Sequence, residues 1–343
     1  MRSIHFAAVV LFGALILVSQ LASADPLPGQ VLKFQQLPLN NGFVPVDPTA
    51  PQSFPAPFPG HDEISTAKLV LPPAGGAPFY SGTYMADDFA DKFSSPVVHV
   101  RWWGSYLDNF LGTAAAPGVK KFLISFEPDV PVGPNNTTGF SHPGPAILSQ
   151  IVDLSPGPLL PGSGTFTEKP LPTPVGANLI PPRESLYQYN AELNFGKEFH
   201  EQPSTVYWLK IVALVDPTRD GNITWGWHDR DYSIFDPLAS APPAVVPGEA
   251  NLGTPTAPIW HFQDDAVTGD VIVNVDQSMP KMASVIQPNW QQTHYISPFD
   301  GPPGIEQFSK DLAFELYTVP EPSTMLLMGL GGLALIATRR RRG

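Results

Sequence analysis

The sequence predicts an all-β protein: an antiparallel β-sandwich, jelly-roll-like, with long Pro/Gly-rich loops. A signal peptide precedes it and one transmembrane helix follows it. Three observations carry the fold class. Several segments alternate apolar and polar residues at period two. The 42 prolines and 29 glycines gather into clusters between those segments. Helical periodicity with caps is scarce outside the two chain ends.

The clearest strand runs from Leu186 to Leu193. Tyr187, Tyr189, Ala191 and Leu193 share one face, and Gln188, Asn190 and Glu192 share the other, which describes a half-buried strand. Val98, Val100 and Trp102 alternate with His99, Arg101 and Trp103 in the same way. Phe122, Ile124 and Phe126 alternate with Leu123 and Ser125. Thr205 to Val215 is aromatic and β-branched enough to sit centrally in a sheet. The stretch Asp216 to Asn222 reads as a turn, after which Ile223 to Trp227 returns. Val271 to Val275 and Leu312 to Tyr317 complete the set. The dense proline stretches 45–59, 72–78, 128–145, 156–182 and 237–258 read as loops.

At the N-terminus, Arg2 precedes an uncharged apolar run from Phe6 to Val18, and Ala22-Ser23-Ala24 follows. A positive start, a short apolar core and a small-x-small site describe a secretory signal cut by signal peptidase between Ala24 and Asp25. The alternative is an uncleaved anchor, for which the core is short. At the C-terminus, Pro320-Glu321-Pro322 precedes an apolar run from Met325 to Ala337 and the cluster Arg339, Arg340, Arg341 and Arg342. At about 1.5 Å per residue this run is roughly 20 Å long as a helix, against a hydrocarbon core of roughly 30 Å. It reads as a transient membrane helix, with the arginines held cytoplasmic and the body outside. Three domains follow: a signal peptide at 1–24, one secreted body at 25–319, and a sorting tail at 320–343.

The order of Pro-Glu-Pro, short apolar run and terminal arginines resembles the PEP-CTERM sorting signal. That resemblance implies recognition by exosortase, a membrane-embedded cysteine transpeptidase, and cleavage near Pro320, Glu321 and Pro322. An ordinary tail anchor is the alternative. Within the body, Ala86-Asp87-Asp88-Phe89, Val100 to Tyr106, Tyr207-Trp208-Leu209, Trp225-Gly226-Trp227 and Asp311-Leu312-Ala313-Phe314 resemble a domain of unknown function found in secreted bacterial proteins. The resemblance implies a β-sandwich. It implies no activity and no site residues.

Composition narrows the chemistry. There are no cysteines, which removes thiol catalysis, cysteine-ligated zinc and disulfide scaffolds. Setting aside Arg2, the four terminal arginines and Glu321 leaves 14 basic and 30 acidic residues, a charge of −16 on the body. Such a body as a whole repels nucleic acid and anionic lipid, so no nucleic-acid partner is expected. No histidines sit at zinc-protease spacing, and neither a Gly-x-Ser-x-Gly elbow nor a phosphate loop occurs.

Four features remain as candidates. Asp216 to Asn222 carries part of a calcium-loop pattern, but Trp227 stands where the closing glutamate belongs, so a plain turn competes. The pairs Asp87-Asp88 and Asp264-Asp265 could hold Ca2+ or serve a glycosidase; adjacent strand residues point apart, so strand-end capping competes. No metal site and no cofactor are specified by spacing. Trp102 and Trp103 must face opposite ways, so Trp103 is a candidate for stacking on a sugar or for packing under a loop. Trp225 and Trp227 should face the same way.

The leading expectation is therefore a non-enzymatic cell-surface or matrix protein associated with extracellular polysaccharide. A carbohydrate-binding module using exposed tryptophan and a secreted glycan-active hydrolase are the alternatives. The exported protein should begin at Asp25, which N-terminal sequencing reads directly. An exported protein still beginning at Met1 defeats the cleavage.

Overall fold

The structure, a computed structural model, describes residues 26–38, 62–73, 75–107, 118–134, 136–171, 186–230, 266–275, 282–293 and 310–320. These residues are all-β, with no α-helix among them. The strands are β1 (Val31–Gln36), β2 (Asp62–Ile64), β3 (Thr66–Val70), β4 (Phe79–Phe89), β5 (His99–Tyr106), β6 (Lys121–Val130), β7 (His142–Pro143) and β8 (Leu148–Leu154). They continue with β9 (Thr165–Pro170), β10 (Tyr187–Glu192), β11 (Tyr207–Val215), β12 (Trp225–His228), β13 (Val267–Val275), β14 (Ala283–Ile286), β15 (Gln291–Gln292) and β16 (Phe314–Thr318).

The expected strands are present, but several belong to a longer list. The longest strand, β4, and the pair β2–β3 gave weak alternation. Strand β9 lies inside a proline stretch read as loop. All sixteen join in one sheet, whose main order is β1-β16-β5-β10-β9-β8-β6-β11-β3-β4-β13-β14. The sheet is mixed and not wholly antiparallel, because β11–β3 and β8–β9 pair in parallel.

The sheet closes on itself through the segment 62–70. Strand β2 pairs with β12, which pairs with β5. One residue later the same segment becomes β3 and pairs with β11. Ser65 is the switch. Its N–H donates to the Trp225 carbonyl at 3.1 Å, and its carbonyl accepts from Ala213 N–H at 2.9 Å. Its hydroxyl donates to the Ile211 carbonyl and accepts from Met85 N–H at 2.9 Å. One small side chain thus satisfies β11 and β4 where they part to admit β3. The return strand β12 therefore does not pair with β11 across the 216–222 turn. Two glycines allow the close crossings: a Cβ on Gly82 would meet the Thr66 carbonyl oxygen at 2.1 Å, and one on Gly104 would meet that of Gly226 at 2.2 Å.

Closure creates an aromatic interior. Trp102 on β5 meets Phe122 on β6 edge to face, with centroids 5.1 Å apart, although three strands separate β5 from β6 in the sheet. Phe34 on β1 stacks on Phe314 at 5.2 Å and reaches Phe89 on β4 at 5.9 Å. Each ring of this size contributes about 1.5–3 kcal/mol on burial. Trp225 and Trp227 both join this core, as their spacing predicts.

Strand β11 is central, as its composition predicts. It pairs with β6 on one edge and with β3 and β4 on the other. Leu209, Ile211, Ala213 and Val215 face the first core, while Trp208, Val212 and Leu214 face a second. The second core forms because β4, β13 and β14 curl back over β11, β6 and β8, ending in a bridge between Met282 and Gln150. Strands β6, β8 and β11 are therefore a wall with a core on each side.

Ser65→Ala is expected to cost about 1–3 kcal/mol, because it strands the buried Met85 N–H. Chemical denaturation measures it; an unchanged midpoint would remove Ser65 from the closure.

Candidate functional site

The chain leaves the described body through β16, and this exit is the candidate site. Phe314 and Leu316 point into the first core, and Glu315 and Tyr317 point away from it. Both edges of β16 are paired, to β5 as far as Tyr317↔His99 and to β1 as far as Val31↔Thr318. The outward face is clamped as well. Arg101 Nη1 lies 2.7 Å from Glu315 Oε2, its guanidinium sits 5.4 Å over the Tyr317 ring, and the Tyr317 hydroxyl donates to Glu315. The clamp extends along β5 and β10. Arg101 Nε donates to Asn190 Oδ1 at 2.7 Å, and His99 Nδ1 lies 2.7 Å from Glu192 Oε1. The polar face of β10, expected to meet solvent, is thus buried: Asn190 and Glu192 are enclosed by this network.

Pairing stops at Thr318. Val319 is 52% exposed, and Pro320, half-buried, cannot donate to a ladder. The described ladder therefore ends two residues before the Pro320 ring closes off further donation. Glu321, Pro322 and Arg339 to Arg342 lie outside the described residues, as do Ala24 and Asp25 at the other end.

Beside the exit, a buried ion cluster seals the same end of the roll. The bulge in β1 falls between Leu32 and Phe34, which leaves Lys33 unpaired with β16. Its ammonium donates to Glu201 and to the Ser95 carbonyl, and lies 3.5 Å from Asp91. Burial, followed by repulsion from Asp91, pushes the Glu201 carboxyl up to about 8. Burial raises Asp91 too, against the pull of Lys33. Two carboxyls facing one lysine thus retain a proton near neutrality.

A third raised carboxyl lies at the opposite end of β5. Glu168 accepts from the Tyr106 hydroxyl, and burial raises its pKa. Tyr106 also accepts from Val119 N–H at 2.9 Å, and Trp225 Nε1 donates to the Tyr189 hydroxyl at 3.1 Å. On the second-core side of β11, Lys210 contacts both Glu127 oxygens, at 2.7 and 2.9 Å, and sits 4.3 Å over the Tyr84 ring; burial lowers its pKa. The strand reading of 205–215 passes over Lys210, although a lysine within the apolar run Tyr207–Val215 is a signal that would have found it. Nothing comparable signalled Lys33, Asp91, Glu201 or Glu168.

The sequence candidates separate. Asp87 and Asp88 are both buried and face opposite ways, as strand geometry requires. Asp87 accepts from Leu312 N–H at 2.8 Å and Asp88 N–H at 3.0 Å, fastening β4 to the approach of β16. Burial, then the nearby Asp311, raises its pKa. Asp264 and Asp265 lie outside the described residues. Among the described residues, no group of three or more His, Asp or Glu side chains is placed to hold a metal. Asp216 is capped by Thr218, whose N–H and hydroxyl reach it at 3.0 and 2.7 Å, and Arg219 stands 3.5 Å from Asp220, so 216–222 is a self-satisfied turn. Trp103 faces away from Trp102 but is only 4% exposed, so its ring has no open face for a sugar.

Residues 318–342 match the PEP-CTERM protein-sorting motif, beginning at the last paired residue of β16. The motif implies an exported protein sorted to the cell surface by exosortase, and the described body is all-β. Residues 50–316 match a domain of unknown function, DUF7901, and the chain belongs to that family. No curated protein and no solved structure matches it.

The raised Glu201 sets a pH dependence. Folded, it holds its proton to about 8, whereas its ordinary value is 4.5. The folded state therefore binds more protons, and this contribution is full below about 4.5 and lost as pH rises through about 8. Glu201→Gln should flatten that slope, so that the variant's melting temperature minus that of wild type is more positive, or less negative, at pH 9 than at pH 5. Parallel melting profiles would contradict the assignment.

Proposed function

We propose that residues 25–319 are one displayed domain, carried out by the signal peptide at 1–24 and delivered through the tail at 320–343. The precursor is a single-pass membrane protein with a cytoplasmic C-terminus, held by the apolar run Met325–Ala337 and stopped by Arg339 to Arg342. Exosortase cuts near Pro320, Glu321 and Pro322, and the freed body reaches the surface or the extracellular matrix. We read the two-core roll as a sandwich-type scaffold, with the facing walls of each core as its layers.

The observation that carries this reading is the meeting of β16 and the motif at Thr318. A cut just beyond a strand paired on both edges leaves every ladder bond of the body intact. The −16 charge of the body supports solubility beside polysaccharide. The display reading is favoured over a hydrolase because Asp87 is engaged with backbone N–H groups inside the core. It is favoured over a tryptophan-based sugar binder because Trp102, Trp103, Trp208, Trp225 and Trp227 are all buried.

Mass spectrometry of the surface protein from a host with exosortase should find a C-terminus near Pro320 to Pro322, and loss of exosortase should leave the whole tail attached. Arg339 to Arg342 retained on the mature surface protein in the exosortase-positive host would overturn this reading.

A further inference from the structure

We propose that one end of the roll, the end at which His99 begins β5, lies against the outer face of the lipid bilayer while the tail is attached, with Phe195 and Leu160 seated among the lipid headgroups. This rests on the reading that Met325–Ala337 spans the membrane.

Strand directions define that end. Strand β5 starts there, and β10 and β16 finish there on either side of it, at the registers Glu192↔His99 and Tyr317↔His99. The chain's entry lies there too: Gln30 Nε2 donates to Glu192 Oε1 at 2.9 Å, and Val31 pairs with Thr318. Both membrane-directed ends of the chain therefore leave the body at one place.

The tether is short. Five residues, Pro320 to Thr324, separate Val319 from Met325. Fully extended, the step between those two spans at most about 20 Å. A body of this length has a radius of gyration of about 19 Å, so its diameter exceeds the tether more than twofold. The exit end is thereby held toward the bilayer.

The surface at that end suits this neighbour. Phe195, on the turn after β10, is 88% exposed, the highest value of any large apolar side chain among the described residues. Its N–H donates to the Gly162 carbonyl at 3.0 Å, which sets it beside the turn bearing Leu160, 65% exposed. Phe93, on the connection from β4 into β5, is 39% exposed, and Val319 emerges next to β5. Lys92 and Lys197 are exposed beside Phe93 and Phe195. Apolar tips interleaved with lysines, on a body that is acidic overall, match an interface of acyl chains and anionic headgroups.

The absence of cysteine makes the test direct. Full-length precursors carrying F195C, L160C or, at the opposite end in the turn after β11, N222C are labelled with bimane. They are reconstituted into phosphatidylethanolamine–phosphatidylglycerol vesicles containing spin-labelled lipid. The probes at 195 and 160 should lose about half their emission at a headgroup depth of roughly 5–10 Å, and the probe at 222 should keep its own. If the precursor fails to float with the vesicles, the membrane-spanning reading falls and this proposal with it. If it floats and the probes at 195 and 160 stay as bright as that at 222, the orientation alone is overturned.

Discussion

Everything in this fold depends on the change of partner at Ser65. A sheet of this breadth has two edges and an apolar face to hide. By pairing with β12 before Ser65 and with β11 after it, one continuous segment joins the two sides of the sheet and removes the gap between them. The aromatic interior can form only once that gap is closed, because Trp102 and Phe122 belong to strands far apart in the ladder. Nearer the exit, the seam is closed by side chains: Asp87 takes the Leu312 N–H, and Phe89 meets Phe34.

Buried charge repeats as a device at the ends and walls of the roll. Lys33 meets Glu201 and Asp91, Lys210 meets Glu127, and Arg230 meets Asp311 at 2.7 Å. Such pairs are weak net stabilisers, yet breaking one by removing a partner costs about 3–5 kcal/mol. Without disulfides, the body relies on its two apolar cores, while the buried ions hold particular segments in particular places. Lys33 does this for β1, tying its bulge to the connections that follow β4 and β10. The last strand consequently sits between two restrained neighbours.

Much of the strand content was legible because alternation is a local property. Tyr189 and Ala191 are inward by simple parity, and so are Val100 and Trp102. The opposite parity misled for β10: Asn190 and Glu192 are polar, yet neighbouring strands supply His99 and Arg101 to meet them, so that face is buried too. Strand β4 was obscure because it changes partners, from β3 in its first half to β11 in its second, so no single face pattern runs through it. Trp103 was singled out correctly as facing away from the core, but facing away did not mean facing solvent. The sorting tail was legible for another reason: its recognition is linear, written in order along the chain.

The sequence by itself determined the address, the all-β character and which side chains share a face, because these follow from composition and from the two-residue repeat of a strand. Only the tertiary structure decided that β12 returns to β5 and not to β11, that Lys33 faces two carboxyls, and that entry and exit lie together beside His99. Those outcomes depend on contacts between residues far apart in the chain, as Trp227 with Gly104, Lys33 with Glu201 and Gln30 with Glu192 show. No local pattern encodes such contacts; they arise when the sheet closes.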